Sequence, residues 1–516
     1  MAATGLLSLA TLAPPVILLA MSLVAWRCAA SPRTLWRSFG ALVATAWVSA
    51  LVALVMQIFA TPGANALAEI GLRPSLAGAW LGVLVLLLGT VIVAFSSRYL
   101  QGEPNQSRYV GALAGVLGSV QVLLLADHWL VLIASWALVG SMLHHLLCFY
   151  PGRPFALLAA HKKRLADRIA DLLLVIAAAL AWREAGSGSL SALRVHLAHG
   201  EVSAALQVSA CCLVLAVILR TALLPAHGWL IQVMEAPTPV SALLHAGVVN
   251  LGGFVLLRFA TLLESVPAAR WLLILAGLGT SVLAGMVMLT RVSIKVRLAW
   301  STVAQMGFMV LECGLGLYTL AMLHLIGHSL YKAHAFLSSS TAVQQTTLRI
   351  MRGHSAPSLP SMVVAPPLAC AIVLLGQHAA ADAAWPSWWT GVLALAWAPL
   401  LWRPFRITWS NWPSLLPGPA IVATLTAAAM LLHRLPLGVI DAPDARAGTV
   451  ALCAMTLHYV FLVVLNWRAE ALSAWRRRAY AGFYLDEFFT QAALRLWPAG
   501  WTPASNPASP RIGAAG

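Results

Sequence analysis

Long apolar runs separated by short polar or basic connectors recur along nearly the whole chain. Crossing about 30 Å of hydrocarbon takes roughly 17 to 25 residues of helix, and runs of that size predict about fifteen membrane spans. They lie near 5–26, 38–60, 76–97, 107–126, 129–149, 168–184, 203–222, 239–258, 270–290, 298–316, 318–340, 361–378, 387–402, 418–433 and 449–467. The predicted fold class is therefore an all-α polytopic membrane protein. The first run has no basic residue before it and no clear small-residue cleavage site after it, so it is expected to be retained as a span. Polar connectors at 101–109, 150–167 and 343–361 are too short to form a soluble domain. The expected organisation is one transmembrane domain (1–468), a cytoplasmic amphipathic segment (469–500) and a disordered tail (501–516). The middle segment mixes Trp475, Arg476, Arg477, Arg478, Asp486, Glu487 and Phe488, which suits a helix on the membrane surface or a docking surface.

Two interruptions of the apolar pattern carry chemistry. Arg220 ends one apolar run and is followed by Pro225 and His227; Glu235 and His245 flank a stretch that contains Pro237 and Pro239. Proline removes a backbone donor, so a broken helix is expected near 220–240, with a second candidate break at 361–386. If Arg220, Glu235 and His245 converge, they supply a fixed cation, a titrating acid and a group that titrates near neutrality, which suits a proton relay. The alternative for Arg220 is a side chain that snorkels to the interface.

Within the run 318–340, His324, His328 and Lys332 recur at intervals of four. At about 100° per residue they form a slowly turning stripe roughly 12 Å long on one side of a helix. Ionisable groups at membrane depth are costly unless they serve a pathway, and a buried lysine that can lose its proton is a candidate switch. His334 points elsewhere. Asp171 follows a basic run and could pair with Arg168 as a cytoplasmic entrance, or simply stand at a solvated helix end. Glu312, beside Cys313, extends the relay or reaches the outer interface, whereas Asp127 and His128 read as solvated turn residues.

Composition agrees with the pattern. The 516 residues are 60% hydrophobic and 9% charged, with a mean hydropathy of +0.84, against about 25% charge in an ordinary soluble domain. A net charge of +16 could indicate nucleic acid, but the cations sit in short connectors. Loops after odd-numbered spans hold most of them, including Arg27, Arg33, Arg37, Lys162 to Arg164, Arg291, Lys295 and Arg297. That bias predicts an N-terminus outside, a C-terminus in the cytoplasm and residence in the cell inner membrane. The seven cysteines lack paired spacing, so neither a disulfide framework nor a metal site is expected. No glycine-rich phosphate loop or dinucleotide fingerprint occurs, which places nucleotide chemistry outside this chain. The chain has no catalytic constellation, and transport is the expected activity.

Four segments together resemble the antiporter-like subunits of respiratory complex I and of multisubunit cation/proton antiporters. They are Leu219 to Leu230, Met234 to Ala246, Lys295 to Gly307 and His324 to Ala333, within a resemblance that covers about residues 80 to 345. The resemblance implies an inverted-repeat architecture, with Arg220 in the place of the broken-helix lysine, His245, His324, His328 and Lys332 as relay residues, and Asp171 as a matching acid. His227 and Lys295 fall inside the same motifs. Ser135-Trp136-Ala137-Leu138-Val139-Gly140 departs from it, since Ala137 stands where the complex I subunits carry a pairing glutamate; their long lateral helix also has no room here. The segments His245 to Asn250 and Ala481 to Phe489 resemble the DabB family, membrane subunits of two-component inorganic-carbon accumulation complexes. This implies proton or other cation conduction coupled to CO2 or bicarbonate uptake, and a DabA-like peripheral zinc protein as partner, with no cofactor in this chain. The rival readings are a subunit of a respiratory or cation/proton antiporter assembly, and a non-conducting membrane anchor for an enzyme.

Overall fold

The computed structural model describes residues 2–27, 31–59, 67–200, 202–339, 357–380, 385–403, 417–468, 470 and 472–498. The long helices of the first half are α1 (Ala2–Arg27), α2 (Pro32–Phe59), α3 (Leu76–Tyr99), α4 (Gln106–Leu125), α5 (Trp129–Leu147) and α6 (Pro154–Ala185). Then come α7 (Leu190–His199), α8 (Ala204–Arg220), α9 (Gly228–Gln232), α10 (Thr238–Ala246), α11 (Leu251–Arg258), α12 (Ala260–Ser265), α13 (Pro267–Leu289), α14 (Ile294–Gly314) and α15 (Tyr318–Leu337). The remainder is α16 (Leu359–Ala380), α17 (Ser387–Trp397), α18 (Pro417–His433), α19 (Ala445–Trp467), α20 (Ser473–Tyr480) and α21 (Leu485–Leu496). Nine helical segments among the described residues are long and apolar enough to cross a membrane, and α8, α17 and α18 belong to shorter apolar helices. Helices α6, α8, α11, α14 and α15 carry internal charged side chains. The chain is a multi-pass, all-helical membrane protein.

One apolar core joins the helices from α1 to α15, and a second joins α16 to α19 to the ends of α13, α14 and α15 through Trp388, Trp389 and Tyr459. Helix α4 lies at the centre of the first, with most of its length buried. Helices α13 and α14 approach through glycine. A Cβ on Gly307 would come within 2.7 Å of Ser281 N, and one on Gly277 within 2.7 Å of Gly307 O. Small residues let helix backbones touch where lipid offers no hydrophobic drive between helices.

The expected break near 220–240 is present. Helix α8 ends at Arg220, Ala222 takes a left-handed φ of 55°, and the Leu224–Pro225 peptide is cis. The chain then makes the short α9 and a single 3-10 turn over Val233–Glu235 before Pro237 and Pro239 open α10. No break occurs between 361 and 380: α16 continues through Pro366 and Pro367. A membrane helix survives the lost donors because neighbouring groups and local adjustment satisfy the freed carbonyls. Residues 381–384, the rest of that candidate, lie outside the described residues, as does the expected tail at 501–516.

Two further expectations are corrected. The connector expected at 150–167 and the span expected at 168–184 form the single helix α6, which opens with Pro154 at its first turn. Its basic run is accommodated because Lys162 and Lys163 point inward and find carboxylates. Asp127 is not a solvated turn residue. It is 6% exposed, and its carboxylate receives Arg194 at 3.3 Å, Arg258 at 3.6 Å and the Ser191 hydroxyl at 2.5 Å. This clasp ties the α4–α5 turn to α7 and α11.

The segment after α19 folds back. Phe483 and Tyr484 adopt left-handed φ values of 56° and 58°, which reverse the chain between α20 and α21. Helix α21 then lies against α6 and α9.

Candidate functional site

The geometry is built on the broken helix. Where α8 stops, the Arg220 guanidinium is 3% exposed and forms an ion pair with Asp171 of α6. It also donates to the Trp136 carbonyl at 2.9 Å and lies 4.6 Å from the centre of the Trp136 ring. A buried cation needs this pairing, since removing one partner strands the other charge in a medium that solvates it poorly. Arg168 reaches the same acid at 3.9 Å from an exposed position. Arg220 therefore does not snorkel. Nor does it converge on Glu235 and His245: its contacts are Asp171 and Trp136.

Glu235 ends the 3-10 turn, half-buried, with its Oε2 unpartnered among the described residues. His245 is fully buried on α10 and stacks on Phe336 of α15 at 4.4 Å. It lies within coulombic reach of Lys332. His245 thus belongs with the α15 stripe.

The stripe itself is continuous. Glu312 of α14, 4% exposed, accepts from the His324 ring at 2.8 Å, and the His324 and His328 rings are 6.1 Å apart. One turn further, Lys332 is fully buried and donates to the Leu298 carbonyl at 2.9 Å. Both nitrogens of His328 and of His245 are buried without a partner among the described residues. A cavity of about 630 Å³ opens beside this row, lined by Glu312, His324, His328, Gln305, Trp389 and His458. Glu312 hence faces the α15 row rather than the outer interface.

The remaining residues fall into place around these two clusters. His227, 0% exposed, donates from Nδ1 to the Pro225 carbonyl at 3.2 Å and packs on Trp300 at 4.8 Å. Lys295 donates to the Thr238 hydroxyl at 3.2 Å, at the start of α10. His334 is exposed and joins neither cluster.

Sequence analysis overlooked a third group. Lys163 pairs with Asp167, and the spacing 163, 167, 171 puts both on the Arg220–Asp171 face of α6. Gly140 makes room for it, because a Cβ there would stand 2.7 Å from Asp167 Oδ2. A cleft of about 410 Å³ leads to this row between His144, His161, Arg164, Arg168 and Ala137. The same interval of four that revealed the α15 stripe was available here, hidden by the abundance of adjacent surface-like cations. Lys162 has a different partner, Asp486 of α21, at 2.5 Å.

Residues 126–386 match the family described as NADH:quinone oxidoreductase/Mrp antiporter, transmembrane. The chain is 38% identical over 446 residues to the probable inorganic carbon transporter subunit DabB of Hydrogenovibrio crunogenus, covering 82% of this chain and 85% of that protein. It is 36% identical to the probable inorganic carbon transporter subunit DabB2 of Halothiobacillus neapolitanus, covering 96% and 94%. Among solved structures, the Mrp complex from Dietzia sp. DQ12-45-1b aligns with a TM-score of 0.55 at 24% identity, over 100% of this chain and 58% of that one; this likeness concerns the fold. The chain accordingly belongs to the DabB family of inorganic-carbon transporter subunits, within the NADH:quinone oxidoreductase/Mrp antiporter superfamily.

Proposed function

We propose that this chain conducts protons across the cell inner membrane and couples their descent to inorganic-carbon uptake, as CO2 or bicarbonate, by a peripheral DabA-like zinc partner. The N-terminus is outside and the face carrying Lys295, Arg297 and the C-terminal helices is cytoplasmic, in keeping with the excess of cations there. The observation that carries the proposal is the row Glu312, His324, His328 and Lys332, which crosses the interior as contiguous titratable groups. Buried imidazole nitrogens without protein partners are the places where water completes such a row. The names of the DabB relatives support inorganic carbon as the coupled cargo.

In this scheme protons enter at Glu312, follow the α15 stripe past His245, and leave near Asp171 through the cationic cleft. Zinc chemistry belongs to the partner, and the chain contributes no catalytic group. Each elementary charge crossing 100 mV makes about 2.3 kcal/mol available. That energy reaches the partner only if protonation states of this chain bind its conformations unequally.

The test is Lys332→Met, with complex assembly and bicarbonate-independent growth rescue measured separately in cells. Loss of rescue with normal assembly is the expected result. Full rescue would favour the anchor reading. Metal analysis of proteins that co-purify with the tagged chain should find zinc in a partner of soluble-enzyme size.

A further inference from the structure

Lys162 is a lysine with 0% side-chain exposure whose counter-charge comes from 324 positions further along the chain. Its Nζ donates to Asp486 Oδ1 at 2.5 Å and to the Thr490 hydroxyl at 2.9 Å, both on α21. The other carboxylate oxygen, Oδ2, accepts from Gln232 at the end of α9 at 3.0 Å. Room for the carboxylate exists because residue 228 is glycine, where a Cβ would overlap Asp486 Oδ1. The acid is thus inserted into the broken helix itself.

The pair spans a gradient of accessibility. Lys162 is sealed, while the Asp486 side chain is 27% exposed, more than Asp171 at 18% or Asp167 at 14%. Near the pair stands His227, which feels the charge of both partners and whose Nε2 has no partner among the described residues. His227 packs on Trp300, two residues along α14 from Leu298, the residue whose carbonyl holds Lys332. His227, Lys162 and Asp486 therefore form a row of titratable groups that reaches the surface apart from Arg220 and Asp171.

We propose that Asp486 is a proton-transfer residue, the last protein group on a second exit, which runs through His227 and Lys162. In the step at this pair an N–H bond of the Lys162 ammonium breaks and an O–H bond forms on the Asp486 carboxylate, leaving both neutral. Asp486 then gives its proton to cytoplasmic water, and the Lys162 amine takes one from His227 protonated at Nε2, whose N–H bond breaks to leave the neutral imidazole. The charged or titratable neighbours that share this environment are His227 beside α9, Lys162 on α6, Glu487 on α21 and Arg291 from the α13–α14 turn.

This inference rests on the proton-conduction proposal, so the experiment separates the two. The complex, purified with its co-purifying subunits, is reconstituted in liposomes containing a trapped pH dye. Proton flux under an imposed potassium diffusion potential is recorded across external pH, beside assembly by size exclusion. Asp486→Glu should keep most of the flux. Asp486→Asn should remove the share of flux that uses this exit, a fall of about twofold or more, leaving what passes Asp171. Because Asp486→Asn strands the buried lysine, the double variant Asp486→Asn with Lys162→Met serves as the control for folding. It should assemble normally and still conduct less than the parent, with the pH profile flattened. If the double variant conducts like the parent, the pair is only a structural latch and this proposal is overturned. Flux at the parent's level in the double variant that is lost in Lys332→Met overturns this exit alone. Absence of flux in the unaltered complex overturns conduction itself.

Discussion

The guanidinium of Arg220 occupies a position that resemblance assigns to a lysine, and the two do different work. A guanidinium keeps its charge at any physiological pH and forks onto planar acceptors, while an amine can give up its proton. With Trp136 O, the Trp136 ring and Asp171 all held by Arg220, the proton-accepting role at this point in the proposed pathway falls to Asp171. Arg220→Ala leaves Asp171 without its buried counter-charge, a loss on the order of 3–5 kcal/mol, and should sharply lower the yield of assembled protein in detergent. Arg220→Lys preserves the charge but not the fork, so assembly should recover while proton flux stays impaired. Of this chemistry, His324, His328 and Lys332 were legible because spacing within one helix is written in the sequence. The Arg220–Asp171 pair was not legible: resemblance singled out each residue without joining them, and they are 49 positions apart on different helices. Asp486 carried no local sign of its partner.

At the scale of elements, the apolar runs predicted where helices lie, and the double interruption at 220–240 predicted the break. Helix α6 was shortened in that prediction because His161, Lys162, Lys163 and Arg164 look like a solvated connector until their acidic partners are known. Pro366 and Pro367 looked like a break, but a helix packed on its neighbours absorbs them. Close packing of α13 on α14 has a direct test. Gly307→Val should lower the melting temperature of the purified protein, at a cost of about 1–3 kcal/mol. Gly279→Val serves as the comparison, since nothing lies within 4 Å of a Cβ there, and it should change the melting temperature much less. Equal shifts would mean that valine's cost within the helix, rather than the backbone approach, sets the effect.

For the whole molecule, two groups of helices share the α13–α15 faces, and the last helices return to the broken one near the middle of the chain. Lys162 therefore emerges from the ribosome long before the carboxylate that neutralises it. During synthesis the membrane-inserted portion holds an unmatched cation beside the broken helix until the returning helix supplies its carboxylate. A chain stopped after Arg478 should be cleared by membrane proteases faster than the full-length protein in a pulse-chase experiment, and Lys162→Met in the same shortened chain should slow that clearance. Unchanged turnover in both would leave the returning helix without a part in biogenesis.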